Sequence, residues 1–165
     1  MNAATGQLDS TLPFGLAQPD LLCAATFANG RLWLSMAGDP YTDQLVAVDP
    51  GSLRVLHHTT IPDPGDGEYC VTAGAGRIWA GSAQGYNIYA FDPRTAQRVG
   101  VSLQIGRMSW MAGTPGALWF STSKEPALLQ AVNRDGASLG HVLLPAEPLG
   151  FGAAGSLLYA GFAPH

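Results

Sequence analysis

The chain has 165 residues, 47% apolar and only 12% charged, with eight basic against twelve acidic side chains and a net charge of −4. This composition can bury a substantial core and excludes a chain disordered by composition. The acidic balance, with Lys124 the single lysine, argues against a surface made for nucleic acid or anionic lipid. No apolar run approaches the roughly 18 residues that would span a bilayer. Residues 1–10 carry neither a basic leader nor the apolar stretch of a secretory signal, and no compartment follows from the sequence.

Read from its start, the chain opens inside a repeated unit. Asn2 to Leu8 matches Asp92 to Arg98, a turn leading into a strand, so residues 1–20 are expected to end a preceding unit. The unit itself is announced by a short phrase. Gly30-Arg31-Leu32-Trp33 returns as Gly76-Arg77-Ile78-Trp79, as Gly116-Ala117-Leu118-Trp119, and in weakened form as Gly155-Ser156-Leu157-Leu158-Tyr159. The successive glycines stand 46, 40 and 39 residues apart. A period near forty with an aromatic at a fixed place predicts an array of similar supersecondary units. Units are expected over 21–62, 63–105 and 106–145, with the start of another over 146–165.

The unit after Tyr69 is the clearest. Tyr69 to Ala73 is short, apolar and β-prone, and Gly74-Ala75-Gly76 supplies a tight turn. Arg77 to Ser82 is a second strand, Gln84-Gly85 a second turn, and Asn87 to Phe91 a third strand ended by Asp92-Pro93, where proline cannot donate to a ladder. Gln97 to Leu103 is a fourth, more polar strand. Leu45 to Pro50 and Leu128 to Asn133 repeat the third strand, with asparagine replacing the turn aspartate in the latter. No segment carries a sustained helical stripe, so the fold is expected to be all-β: antiparallel four-stranded meanders, lettered a to d from the inside outward. The final unit, Phe151 to Ala153 and Ser156 to Phe162, offers only an a and a b strand. No c strand exists for the opening d strand to join, so the expectation is a fragment of a larger ring or an arc completed by another chain, such as a second copy.

These residues make the chain resemble the bacterial β-propellers with NHL-like, quinoprotein-like (YVTN-like) and streptogramin-lyase-like repeats. The resemblance rests on Gly116 to Thr122 and its counterparts, with Asp49-Pro50 and Asp92-Pro93-Arg94-Thr95. It implies a β-propeller arc of three complete blades with partial blades at both ends. The WD40 pattern, Trp-Asp closing a c strand with Gly-His earlier, is absent. Lyase-type members work through a histidine and acidic residues on one open face, but His57, His58 and His141 fall in outer d strands and His165 is terminal.

Trp33, Trp79, Trp119 and Tyr159 share one b-strand position, and repetition within an apolar strand predicts packing between blades. Trp110 has no counterpart in the other units and is placed near the axis as a candidate ligand contact. In a propeller the d–a and b–c loops emerge on a common face. There the sequence puts Asp39, Tyr41 and Asp43 in one b–c loop, and Asp63, Asp66 and Glu68 in an acidic d–a loop. Tyr86, Asn87, Arg107, Lys124 and Glu125 form a mixed-charge rim on the same face. The carboxylate spacing fits no calcium loop and reads as a solvated turn. Arg31 and Arg77, first in their b strands, belong to the opposite face, either solvated or partnering neighbouring turns. Cys23 and Cys70 take equivalent places in consecutive units and read as small apolar groups rather than a bridge. With no nucleophile elbow, phosphate loop or metal-spaced histidine pair, no catalytic residue, metal or cofactor is assigned. The expected function is a non-catalytic segment binding a protein or small-molecule ligand on its loop face. The alternative is part of a lyase-like or quinoprotein-like propeller enzyme whose catalytic residues lie outside this chain.

Overall fold

The computed structural model describes residues 21–37, 43–62, 69–82, 87–106, 108–122 and 127–163. Fourteen strands lie within them, and no helix does. The first sheet is β1 (Leu21–Ala28), β2 (Arg31–Ala37), β3 (Gln44–Val48) and β4 (Val55–Thr60). The second is β5 (Tyr69–Gly74), β6 (Arg77–Ser82), β7 (Asn87–Phe91) and β8 (Arg98–Gln104). The third is β9 (Met108–Gly113), β10 (Leu118–Thr122), β11 (Leu128–Val132) and β12 (Ser138–Leu143), and β13 (Gly150–Ala154) with β14 (Leu157–Gly161) forms a two-stranded fourth. Each four-stranded sheet is an antiparallel meander in sequence order, as the repeat predicts. The d strand expected within residues 1–20 lies outside the described residues.

Among the described residues, two inter-blade cores hold the arc. Trp33, Leu45, Ile61, Val71, Ile78 and Phe91 join the first blade to the second. Trp79, Ile88, Met108, Met111, Leu118 and Phe120 join the second to the third. The third strands β3 and β7 are buried along nearly their whole length, β7 because the second blade is packed on both faces by its neighbours. Outer strand β8 instead alternates, with Val99, Val101 and Leu103 turned to the core. Cys23 and Cys70 are half-buried, one against each core.

The indoles of Trp33 and Trp79 are fully buried and do the same work in each blade. Their Nε1 groups donate to the carbonyls of Ala28 (3.3 Å) and Gly74 (2.8 Å), which end the a strands. Trp119 is half-buried, and Tyr159 is 57% exposed at the open end of the arc. The packing role thus holds for the two tryptophans that have a whole blade on either side.

The a–b turns explain the recurring glycine. Asn29-Gly30 and Ala75-Gly76 both have positive φ at their two central residues, the mirror-image hairpin that matches strand twist. The fourth copy is shifted by one residue. Gly155 opens its turn and Ser156 stands where Gly30 and Gly76 stand, since Ala154 pairs with Leu157 and Gly152 with Tyr159. That shift accounts for the extra residue between glycine and aromatic in the weakened phrase.

The c–d turns share another device. The Asp49 carboxylate accepts from the backbone N–H groups of Ser52 (2.6 Å) and Gly51 (3.0 Å). Asp92 accepts likewise from Arg94 (2.8 Å) and Thr95 (3.2 Å). In the third blade Asn133 Oδ1 takes the same position, accepting from Asp135 and Ala137, both at 2.9 Å. The bond from Arg94 N–H, with a smaller contribution from the Thr95 N–H, holds the Asp92 carboxyl below its ordinary value of 3.8.

Nearest the axis, the a strands of the second and third blades approach until backbone touches backbone. A Cβ on Gly113 would collide with the Ala73 carbonyl, and one on Gly74 would sit 2.6 Å from Gly113 Cα. The Ala75 N–H donates across the same junction to the Thr114 carbonyl (2.9 Å).

Gly113→Ala is therefore expected to destabilise the chain by roughly 3 kcal/mol. Gly116→Ala, whose Cβ meets nothing within 4 Å, is expected to stay within about 0.5 kcal/mol of the parent. Thermal unfolding followed by circular dichroism separates the two, and equal midpoints would refute the close approach. A second expectation concerns pH. Because folding lowers the Asp92 pKa, its contribution is present above 3.8 and is lost as pH falls through the lower folded value. Asp92→Asn is expected to unfold at nearly the parental temperature at pH 7, as Asn133 already fills this role, and to lose less stability on acidification. An Asn variant that is as acid-sensitive as the parent would contradict this.

Candidate functional site

The a–b turns of successive blades converge at one end of the arc and enclose a depression of about 580 Å³. Its lining comes from Ala28-Asn29, from Ala73 to Arg77, from Gly113 to Pro115 and from Gly155, which are the a–b corners of all four sheets. Two c–d turns complete it, contributing Asp92, Pro93 and Arg94 from the second blade and Arg134 from the third. Much of the floor is backbone because the glycines at 74 and 113 bring the inner strands together there.

The charged lining is three arginines and one carboxylate: Arg77, Arg94, Arg134 and Asp92. The Asp92 Oδ1 that accepts from the turn N–H groups lies 3.9 Å from Arg94 Nε. Arg134 makes an exposed pair with Asp135 at 4.0 Å. A fourth arginine braces the wall from behind. Arg31 Nη1 donates to the Arg94 carbonyl at 2.6 Å and the Pro93 carbonyl at 3.4 Å, tying the first blade to the c–d turn of the second. Of the two roles open to Arg31 in the sequence, the structure gives it that of a turn partner.

Arg77 occupies the same place one blade on, yet forms no such tie. Its Nε is buried and has no hydrogen-bond partner among the described residues. The reason lies in turn length. Between Asp92 and Gln97 the chain inserts four residues, closed by the Asp92 N–H donating to the Gln97 carbonyl (2.9 Å). Between Asn133 and Ala137 it inserts three, closed by the equivalent bond at 2.9 Å. The shorter turn in the third blade offers Arg77 no bonded counterpart of the Pro93 and Arg94 carbonyls.

Of the candidate residues on the opposite, loop face, Asp39, Tyr41, Asp63, Asp66, Glu68, Tyr86, Arg107, Lys124 and Glu125 lie outside the described residues. Three can be placed, on three different sheets. Asp43 is buried just ahead of β3, its carbonyl accepting from the Ile61 N–H at 2.8 Å. Asn87 begins β7 and is half-buried. Trp110, in β9, is 36% exposed and donates its indole N–H to the Pro148 carbonyl at 2.9 Å. The neighbouring Ser109 hydroxyl donates to Glu147, so this part of β9 is tied to the connection leading into the fourth sheet. None of the three lines the depression. His57, His58 and His141 sit on β4 and β12, the outer strands, as the sequence predicts.

Arg94, Arg134 and Asp92 are absent from the sequence-derived candidates. Their signal is the repeat itself: each c–d turn stands beside an a–b turn, so charges in the two turns share a face.

No protein-family model matches the chain, and no curated protein does. Solved structures do. The chain is similar to the computationally designed Ika4 protein, with a TM-score of 0.63 and 13% identity over 88% of each chain. It is similar to Myxococcus xanthus glutaminyl cyclase, with a TM-score of 0.59 and 15% identity over 86% of this chain and 61% of that one. It is also similar to BBS1N crystallised in complex with ARL6DN, with a TM-score of 0.60 and 9% identity over 82% of this chain and 45% of that one. At these identities the likeness is one of fold. The four antiparallel sheets and these neighbours together make the chain a partial β-propeller.

Proposed function

We propose that this chain is a non-catalytic binding segment of a β-propeller that takes a protein or small-molecule ligand on a face built from the connections between its strands. The observation that carries this reading is the depression at the convergence of the a–b turns. Its volume falls within the range of ligand sites, and its lining combines a fixed backbone floor with a few polar side chains. Propeller folds host both enzymes and binding proteins, so function follows from the site rather than the fold.

A second reading, part of a propeller enzyme with its catalytic residues outside this chain, has only the company of its structural neighbours in its favour. These include the glutaminyl cyclase and a europium-containing methanol dehydrogenase, of which the chain covers 61% and 26%.

The two faces of the arc can be told apart by a ligand-observed NMR screen of small polar fragments against the whole chain. Pro115→Trp, at an exposed position in the depression lining, sets an indole over the site and is expected to abolish the fragment signals. Trp110→Ala and the combined Asp63→Ala, Asp66→Ala and Glu68→Ala variant are expected to keep them. The reverse pattern would move the site to the loop face and overturn the assignment.

A further inference from the structure

Resting on the reading of the turn face as the binding face, we propose that its ligand is an oxyanion, a phosphoryl or carboxylate group carried by a small molecule, held between Arg77, Arg94 and Arg134. Four of the eight basic side chains in a chain of net charge −4 gather at this end of three neighbouring blades: Arg31, Arg77, Arg94 and Arg134. Inside the depression three guanidinium groups face a single carboxylate. That carboxylate, bonded to its own turn's N–H groups and 3.9 Å from Arg94, offsets one of these charges, and Asp135, outside the lining, offsets Arg134 at 4.0 Å. A surplus of positive charge therefore remains in a concave, backbone-floored site, where an anion feels it with less screening than on open surface.

Arg31 shows what Arg77 lacks. The two are equivalent in the repeat, and Arg31 finds its acceptors in the next blade's c–d turn. The equivalent turn facing Arg77 is one residue shorter, and Arg77 Nε is left buried without an acceptor. Buried polar groups are as a rule hydrogen-bonded, so a buried guanidinium donor in the wall of a cavity marks where an acceptor belongs. The planar guanidinium fork engages two oxygens of a phosphate or carboxylate at once, and two or three arginines together favour a multiply charged oxyanion over chloride. At about 580 Å³ the depression is larger than a bare anion needs, leaving room for the body of a small metabolite.

The test is isothermal titration of the intact chain at low ionic strength with inorganic phosphate, with citrate and with sodium chloride as the reference ion. Saturable binding of phosphate or citrate is expected, with Arg77→Gln and Arg134→Gln each weakening it at least tenfold and Arg54→Gln, an exposed arginine outside the lining, leaving it unchanged. Preference for phosphate over citrate, or the converse, then assigns the phosphoryl or the carboxylate class. Each variant is first matched to the parent by thermal midpoint. Arg134 is exposed, so its substitution tests the site even if Arg77→Gln unfolds. Binding weakened equally by Arg54→Gln, or no saturable binding beyond chloride, would overturn the proposal. In that second case, polar fragments displaced by Pro115→Trp would still uphold the turn face as the binding face, whereas loss of both would remove that reading too.

Discussion

Where Gly74 passes Gly113, two inner strands from different blades lie with no side chain between them, and the geometry of the arc depends on that contact. A Cβ on either residue would meet backbone rather than a yielding side chain. Sheets that meet at such short range on the axis must splay outward, and the wedge they open is filled by large residues. Trp79 fills it between the second and third blades, and its indole ties the b strand to the Gly74 carbonyl where the a strand ends. The first junction follows the same logic, with Trp33 bonded to the carbonyl of Ala28. Small residues inside and aromatic residues outside are thus two halves of one constraint.

The same contact creates the site. Drawing the a strands together draws their turns together, so the a–b corners of all four sheets enclose one depression. The c–d turns, held by Asp92 and Asn133, bring arginines to its edge. At the far end of the arc the constraint is only half met. The fourth sheet has two strands among the described residues, and β12 of the third blade is exposed along its whole length. Leu139, Val142, Leu143, Leu149, Leu157 and Tyr159 stand exposed there, although Leu103 in the place of Val142, and Trp33 and Trp79 in the place of Tyr159, lie in or against the inter-blade cores.

Strand order and the packing of Trp33 and Trp79 were readable from the glycine–aromatic phrase because they follow from local pattern: turn residues at fixed offsets and alternation within short strands. The shift at Gly155 was not, because a glycine fits either central place of a hairpin and only the pairing of Gly152 with Tyr159 decides between them. The site was harder still. Its polar groups come from turns some twenty to sixty residues apart, and its defining asymmetry is one missing residue between Asn133 and Ala137. In the sequence that deletion looks like ordinary repeat variation. Only the bond from Arg31 to the Pro93 and Arg94 carbonyls shows what the shorter turn withholds from Arg77.

The claim beneath all of this is that the inner strands of the second and third blades are the most tightly held part of the chain. Amide hydrogen exchange, resolved to single strands in the native state, reads it directly. The account predicts the slowest exchange in β5 and β9, with β12 exchanging much faster. Exchange in β5 and β9 as fast as in β12 would contradict it.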